Sequence, residues 1–293
     1  GATVEYKRSH VKINDSVYEL VDLPGTYSLT SLDEAERESL HYLLQQNIDV
    51  IVNVVDSSLL SRSLELTLQL MELDIPMVVC LNMADEAERK GITINTDYLS
   101  KILGIPVVAT VASRGTGLKK LFTVCDNTAR KQKTPNHIEV SRDVEQSISS
   151  LEEILTPLQP LPDRISPHLM ATKLLESDPY FESMAVHLSP TLLKEAEQFR
   201  DKLADQHGRS ADEVMASERH NLSMSIYEKV TTITKPQKDW RDNIDRFLLH
   251  NFWGYISLGL ILVGAFIFIF KFGALLEGPL LEIFEPAQQG AEG

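Results

Sequence analysis

The sequence predicts an α/β fold, a mostly parallel sheet with helices on both faces, followed by a small all-α domain and one membrane-spanning helix. Three observations predict it. Apolar, β-branched runs at 17–21, 48–55, 76–81 and 107–111 alternate with stretches of helical periodicity, the pattern of strands joined by crossover helices. From about Pro135 the strand signal ends, and helical periodicity continues between Pro157, Pro160, Pro162, Pro179 and Pro190. Residues 252–270 then run without a charged side chain, long enough to cross a hydrocarbon layer of roughly 30 Å. The expected divisions are 1–134 for the α/β domain, 135–235 for the helical domain, 236–251 for an amphipathic juxtamembrane helix, 252–272 for the span and 273–293 for the start of a further membrane region.

Composition narrows the partners. With 293 residues and a net charge of −14, the chain offers no basic face for nucleic acid. Its only cysteines, Cys80 and Cys125, have no paired spacing and read as reduced, buried thiols. The chain opens on Gly1 without a secretory signal, so it reads as a fragment of a longer protein.

The elements follow in order. Residues 10–13 and 17–21 flank the turn cluster Asn14-Asp15-Ser16 and read as a hairpin whose second arm delivers Asp22. The stretch Val21-Asp22-Leu23-Pro24-Gly25-Thr26-Tyr27 reads as a buried parallel strand ending on a carboxylate and turning at Gly, the place where open α/β sheets bind ligands. There Asp22 would hold Mg²⁺, and the Gly25 N–H could approach a γ-phosphate because no Cβ blocks it. Asp-x-x-Gly also ends many ordinary strands. Ser31-Leu32-Asp33-Glu34 fits a capping box opening a helix to about Gln46; helices are expected at 59–73 and from Gly115 to about Lys131.

Two loops add the chemistry of a base reader. Asn82-Met83-Ala84-Asp85 follows the run 76–81, and the Asp85 carboxylate can accept from both N1–H and the exocyclic amine of guanine, a pair adenine lacks. Ala112-Ser113-Arg114-Gly115 follows the run 107–111, where a backbone N–H could meet the guanine O6. Each has a plainer alternative: Asn82 and Asp85 could cap the next helix, and Ser113 could be a loop residue. Upstream of the hairpin, Gly1-Ala2-Thr3-Val4-Glu5 stands where a GTPase carries its first switch, with Thr3 closing over Mg²⁺ and phosphate; a frayed terminus is the alternative. Nowhere in the sequence is there Gly-x-x-x-x-Gly-Lys-Ser/Thr, the loop that cradles phosphates. Thr26 stands where Ras-like enzymes place a water-orienting Gln, so hydrolysis should be slow.

The helical segments are expected at 144–155, 167–176, 192–204 and 211–230. No catalytic constellation is visible in them, and His168, His187, His207 and His220 read as scattered surface or capped histidines. Trp240, Ile244, Phe247, Leu248 and Phe252 recur at helical spacing opposite charged residues, describing a helix lying on a bilayer, or packed on the domain before it. Lys235, Lys238, Arg241 and Arg246 precede the span and only acids follow Lys271, which puts the preceding domains in the cytoplasm.

Asp22-Leu23-Pro24-Gly25-Thr26-Tyr27-Ser28-Leu29, Asn53-Val54-Val55-Asp56, Leu66-Thr67-Leu68-Gln69-Leu70, Asn82-Met83-Ala84-Asp85 and Ser113-Arg114-Gly115 together resemble the bacterial ferrous-iron transport protein B family, over nearly the whole chain. The resemblance implies a TRAFAC/Ras-like GTPase domain, a helical domain that modulates nucleotide release, and a polytopic permease for Fe²⁺ in the bacterial inner membrane. It implies GTP or GDP with Mg²⁺ as ligands, small accessory proteins of the iron-transport system as partners, and iron ligands outside this stretch. The guanine-nucleotide site would comprise Gly1, Ala2, Thr3, Val4, Glu5, Asp22, Leu23, Pro24, Gly25, Asn82, Met83, Ala84, Asp85, Ala112, Ser113 and Arg114, with Thr3 and Asp22 on Mg²⁺. The sequence departs from the family in lacking the phosphate loop and all but the first step of the permease. A membrane-tethered regulatory GTPase without transport is the alternative reading, and a ribosome-assembly GTPase is disfavoured by the acidic balance and the span.

Overall fold

The computed structural model describes residues 6–13, 16–26, 28–29, 34–162, 165–236, 247–250 and 252–289. They form two compact units, Gly1–Pro236 and Gln237–Gly293. In the first, strands β1 (Lys7–Ile13) and β2 (Ser16–Asp22) make a hairpin, followed by helix α1 (Glu34–Gln45). Next come β3 (Ile51–Asp56), α2 (Leu60–Met71), β4 (Met77–Asn82), α3 (Ala84–Arg89), β5 (Ile92–Ile94), α4 (Thr96–Leu103), β6 (Val107–Ala109) and α5 (Leu118–Lys131).

Strands β3, β4 and β6 form a parallel sheet in that order, with Ile51 opposite Met77 and Val79 opposite Val107. Central β4 is buried from Met77 to Leu81 because helices cover both its faces, as parallel sheets require. Its alternation assigns the two sides. Met77, Val79 and Leu81 join the large core with α1, α2 and the helical segments, whereas Val78 and Cys80 pack with Val108, Leu121 and Cys125 of the α5 side. Each such side chain contributes about 1.5–3 kcal/mol of burial.

The strand entering Asp22 departs from expectation. It is antiparallel, pairing Lys7 with Asp22 and Val11 with Tyr18, and it is not buried: Asp22 is exposed and Val21 half-buried. Among the described residues the hairpin bonds to none of the three parallel strands. Side chains anchor it instead. The Tyr18 hydroxyl donates to Asp126 of α5, and the Tyr6 hydroxyl reaches Glu38 of α1 at 3.2 Å. Alternation in 17–21 marked a strand correctly, but periodicity alone could not supply its partner.

The helical segments are α6 (Arg142–Leu155), α7 (Pro167–Leu175), α8 (Pro179–Leu188), α9 (Leu192–His207) and α10 (Ala211–Val230). Helix α8 is not among the expected helices, because a proline interrupts a periodicity pattern. Pro179 is the first helical residue, where its missing N–H costs nothing, and the Asp178 carboxylate caps the Tyr180 N–H at 3.0 Å. These helices share one compact unit with the sheet: α10 packs along α2, and its last turn passes into β7 (Thr231–Ile233), which pairs with β5. Neither β5 nor α4 is among the expected elements; α4 is signalled by Asn95, whose side chain caps the Tyr98 N–H, and by Gly104 at φ +71 closing it.

The second unit contains α11 (Trp253–Gln289), of which Trp253–Lys271 has mean hydropathy 2.2 and is long and apolar enough to cross a membrane. Of the proposed amphipathic helix, Trp240 and Ile244 lie outside the described residues, while Phe247, Leu248 and Phe252 are exposed.

Candidate functional site: the loops at the tips of β4 and β6

Strands β4 and β6 end side by side, and their outgoing loops are stitched together. The Thr110 N–H donates to the Leu81 carbonyl at 2.8 Å, and the Ala84 N–H to the Thr110 carbonyl at 3.2 Å. Between them the Asn82 Oδ1 accepts from the Ala112 N–H at 3.0 Å and from the Thr110 hydroxyl at 3.3 Å. Asn82 therefore fixes one loop against the other, and it does not cap α3: the cap position is Met83, which makes no side-chain cap bond. Met83 is left-handed at φ +58 and 44 % exposed, so the turn presents its thioether and the following Ala84-Asp85 at the open end of the sheet.

Asp85 sits in the first turn of α3. One oxygen accepts from the Glu86 N–H at 3.0 Å, and the other lies 3.3 Å from the Arg114 guanidinium. Arg114 belongs to a single 3-10 turn, Ala112–Arg114, closed by Gly115 at φ +69. The geometry thus gathers Asn82, Met83, Ala84, Asp85, Ala112, Ser113 and Arg114 at one rim, as the sequence order alone suggested. Next to them, Glu86 is held below its ordinary carboxylate range by its hydrogen bonds to Arg89, at 2.7 Å, and by Lys90. Gly117 supports the turn from beneath: at φ +80, an added Cβ would lie 2.4 Å from the Ala109 carbonyl oxygen.

The Asp22 segment is anchored elsewhere, on α1, α2 and α7. Among the described residues no hydrogen bond or ion pair engages the Asp22 carboxylate, which suits a cation ligand. Leu23 packs on the core, and Gly25 is exposed with open space where a Cβ would stand. The Thr26 hydroxyl takes the Ser28 N–H at 3.0 Å and is spent on its own turn. The Pro24 carbonyl is 3.5 Å from the Ser39 hydroxyl of α1. Leu29, 1 % exposed, is gripped from both sides: Gln69 of α2 accepts its N–H at 2.8 Å, and Lys173 of α7 donates to its carbonyl at 3.2 Å. Burial pushes the Lys173 ammonium down to about 8, against the pull of surrounding carboxylates, and it pairs with Glu176 at 2.7 Å. Glu176 in turn holds Arg219 of α10. Sequence reasoning missed this link, since a lysine at a helical core position reads as a solvated charge.

Gly1, Ala2, Thr3, Val4 and Glu5 lie outside the described residues. The histidines are dispersed: His168 faces Glu152 at 2.6 Å, His187 bonds the Ser183 carbonyl at 2.7 Å, His220 reaches Glu65 at 2.8 Å, and His207 pairs with Asp143. The two thiols are buried and free, and burial pushes Cys125 up to about 11.

Comparison with known proteins agrees with this architecture. Residues 1–125 match the family model described as ferrous iron transport protein B, and residues 141–232 match that of the FeoB cytosolic helical domain. The chain is 32% identical over 291 residues to the Fe(2+) transporter FeoB of Escherichia coli K12, covering 97% of this chain and 36% of that protein. It thus spans little more than a third of the curated relatives' length. Among solved structures, a glutamate-to-alanine mutant of S. thermophilus NFeoB bound to GDP is 34% identical, with TM-score 0.72, covering 79% of this chain and 88% of that one. The cytosolic domain of the T. maritima FeoB iron transporter in its GMPPNP form is 28% identical, with TM-score 0.67, covering 79% and 87%.

Proposed function

The chain belongs to the ferrous iron transport protein B family, and from that premise we propose that it is the guanine-nucleotide-gated portion of a ferrous-iron transporter of the bacterial inner membrane. Residues 1 to about 250 lie in the cytoplasm in this reading, and Trp253–Lys271 is the first step of the permease. The observation that carries it is the rim formed by Asn82, Asp85 and the Ala112–Arg114 turn at the carboxyl ends of β4 and β6.

Each residue has a defined task there. Asp85 accepts from guanine N1–H and the exocyclic amine once it exchanges its Arg114 contact for the base. Asn82 keeps the Ala112–Arg114 turn in place, where a backbone N–H would meet O6. Met83 and Ala84 wall the base. Asp22, unengaged and exposed at the end of β2, would hold Mg²⁺ together with Thr3, and the bound ion would neutralise phosphate charge. Gly25 lets its N–H approach the terminal phosphate, flanked by Leu23 and Pro24. Gly1, Ala2, Val4 and Glu5 belong to the proposed nucleotide-binding set. Hydrolysis is slow because Thr26, turned onto Ser28, offers no group to orient water. Small accessory proteins and the permease are the expected partners.

The test uses Asp22→Ala in the complete transporter, with radiolabelled Fe²⁺ uptake in cells lacking other ferrous importers and membrane fractionation as control. Uptake should fall to background while insertion is unchanged, because the substitution removes a metal-facing carboxylate and no apolar surface. Normal uptake by the inserted variant would refute nucleotide control, and no uptake by the unsubstituted protein would point to a membrane-tethered regulatory GTPase.

A further inference from the structure

The net charge of −14 is unevenly spread. Between Asp97 and Glu139 the sequence has a single carboxylate, Asp126, against seven Lys and Arg, in a chain where carboxylates outnumber those bases 42 to 28. The overall balance therefore conceals one basic face. Five of the seven bases, Lys119, Lys120, Arg130, Lys131 and Lys133, lie on α5 or just past its end, and all five are exposed. Leu121 and Cys125 pack towards the sheet and Thr128 and Ala129 are buried, so Lys119, Lys120, Thr123, Asn127, Arg130 and Lys131 fall at helical spacing along one outer face about 20 Å long. Asp126 offsets only Arg130. It is buried, accepts from the Tyr18 hydroxyl, and takes the Arg130 Nε–H at 2.9 Å beneath that face.

Helix stability does not account for all of these cations. Arg130 and Lys131 stand in the last turn and complement the macrodipole, but Lys119 and Lys120 stand in the first turn, where the positive end of the dipole disfavours a cation and where α5 has no acid. A local preference broken without a local gain marks a functional surface. The face also lacks anchors. No exposed aromatic or large aliphatic side chain lies between 107 and 133, which leaves no hot-spot residue for a protein partner and no ring on which a base could stack.

We propose that this outer face of α5 docks on the anionic phospholipid headgroups of the bilayer that the same chain spans. The proposal rests on the reading of Trp253–Lys271 as a membrane span. Anchoring there keeps a planar anionic surface at high effective concentration, and a cluster of about four to eight bases on one amphipathic helix is the charge pattern such a surface attracts. The contact is electrostatic. Nothing apolar on the face inserts, so docking is reversible and screened by salt. Gly115 and Gly117 lead from the Ala112–Arg114 turn straight into α5, so the bilayer bears on the helix that leaves the base-reading rim.

Lysine acylation of the full chain in nanodiscs, read site by site by mass spectrometry, tests this. Discs of phosphatidylcholine alone are compared with discs holding about a third phosphatidylglycerol. Lys119, Lys120, Lys131 and Lys133 should react about threefold or more slowly in the anionic discs, while Lys202 and Lys229, exposed on α9 and α10, react alike in both. About 0.5 M NaCl should abolish the difference. In Lys120→Glu/Lys131→Glu, a pair of surface changes that leaves the core intact, Lys119 and Lys133 should lose their protection. Equal rates in both discs, equal protection of Lys202 and Lys229, or protection that survives the charge reversal overturns the proposal. Protection by polyuridylate in neutral discs as strong as that by the anionic lipid overturns it in favour of nucleic acid. A chain that fails to enter either disc fells the span reading itself, and the docking proposal with it.

Discussion

Lys173 and Leu29 stand 144 positions apart in the chain, yet the buried ammonium of one donates to the backbone carbonyl of the other at 3.2 Å. The segment that begins at Asp22 is thereby tied to α7 at its far end, while Gln69 of α2 holds the same residue's N–H. Lys173→Met should free that end. Glu176 keeps Arg219, so the buried carboxylate is not orphaned and the loss should stay near about 1–3 kcal/mol. Hydrogen exchange of the Leu29 amide should accelerate more than that of β4 amides. Equal protection in the variant would show that the lysine is only filler.

The β5–β7 seam closes on Gly91. At φ +78 its added Cβ would lie 2.4 Å from the Thr234 carbonyl oxygen, and the Gly91 carbonyl itself accepts the Thr234 N–H at 2.7 Å. Gly91→Ala combines a strained backbone with a backbone clash and should cost about 2 kcal/mol or more. Urea denaturation measures it, and a change within about 0.5 kcal/mol would mean the seam opens without penalty.

Asp85→Asn, in a protein that carries a phosphate loop ahead of Thr3, should move preference from guanine towards xanthine nucleotides by tenfold or more. The amide presents a donor where guanine also has donors, while xanthine offers a carbonyl there. Competition between GTP and XTP for a fluorescent analogue reads the shift. Unchanged affinities would remove Asp85 from the base-reading role.

Acid should unpick the α6–α9 contact. The hydrogen bond with His207 holds the Asp143 carboxyl below its ordinary 3.8. A group depressed in the fold contributes stability above its unfolded value, lost as pH falls through the folded one, so the loss lies below about pH 3.8. Asp143→Asn should remove that dependence, an effect under about 1 kcal/mol because a third of the side chain is exposed. Melting curves at pH 5 and pH 3 for both proteins would show it, and parallel acid losses would refute it.

Local chemistry was legible in the linear sequence. The buried run Met77–Leu81, the turn residues after it, and the order Asp22, Asn82, Asp85, Ser113 follow from periodicity and side-chain function, which need only neighbours in the chain. Apolar continuity from 252 to 270 likewise fixed a helix of spanning length. Only the tertiary structure decided which partner each element takes. The strand into Asp22 reads the same whether it enters the parallel sheet or, as here among the described residues, pairs with β1 and leans on Asp126 through Tyr18. Three-residue β5 is too short to show any period and exists because β7 returns to pair with it. Lys173 is a surface charge by composition and a buried clamp by location, since burial of a cation becomes affordable only where Leu29, Glu176 and the helices around them converge. Propensity and pattern act over a few residues; desolvation and hydrogen-bond partnership act across the 144 positions that folding removes.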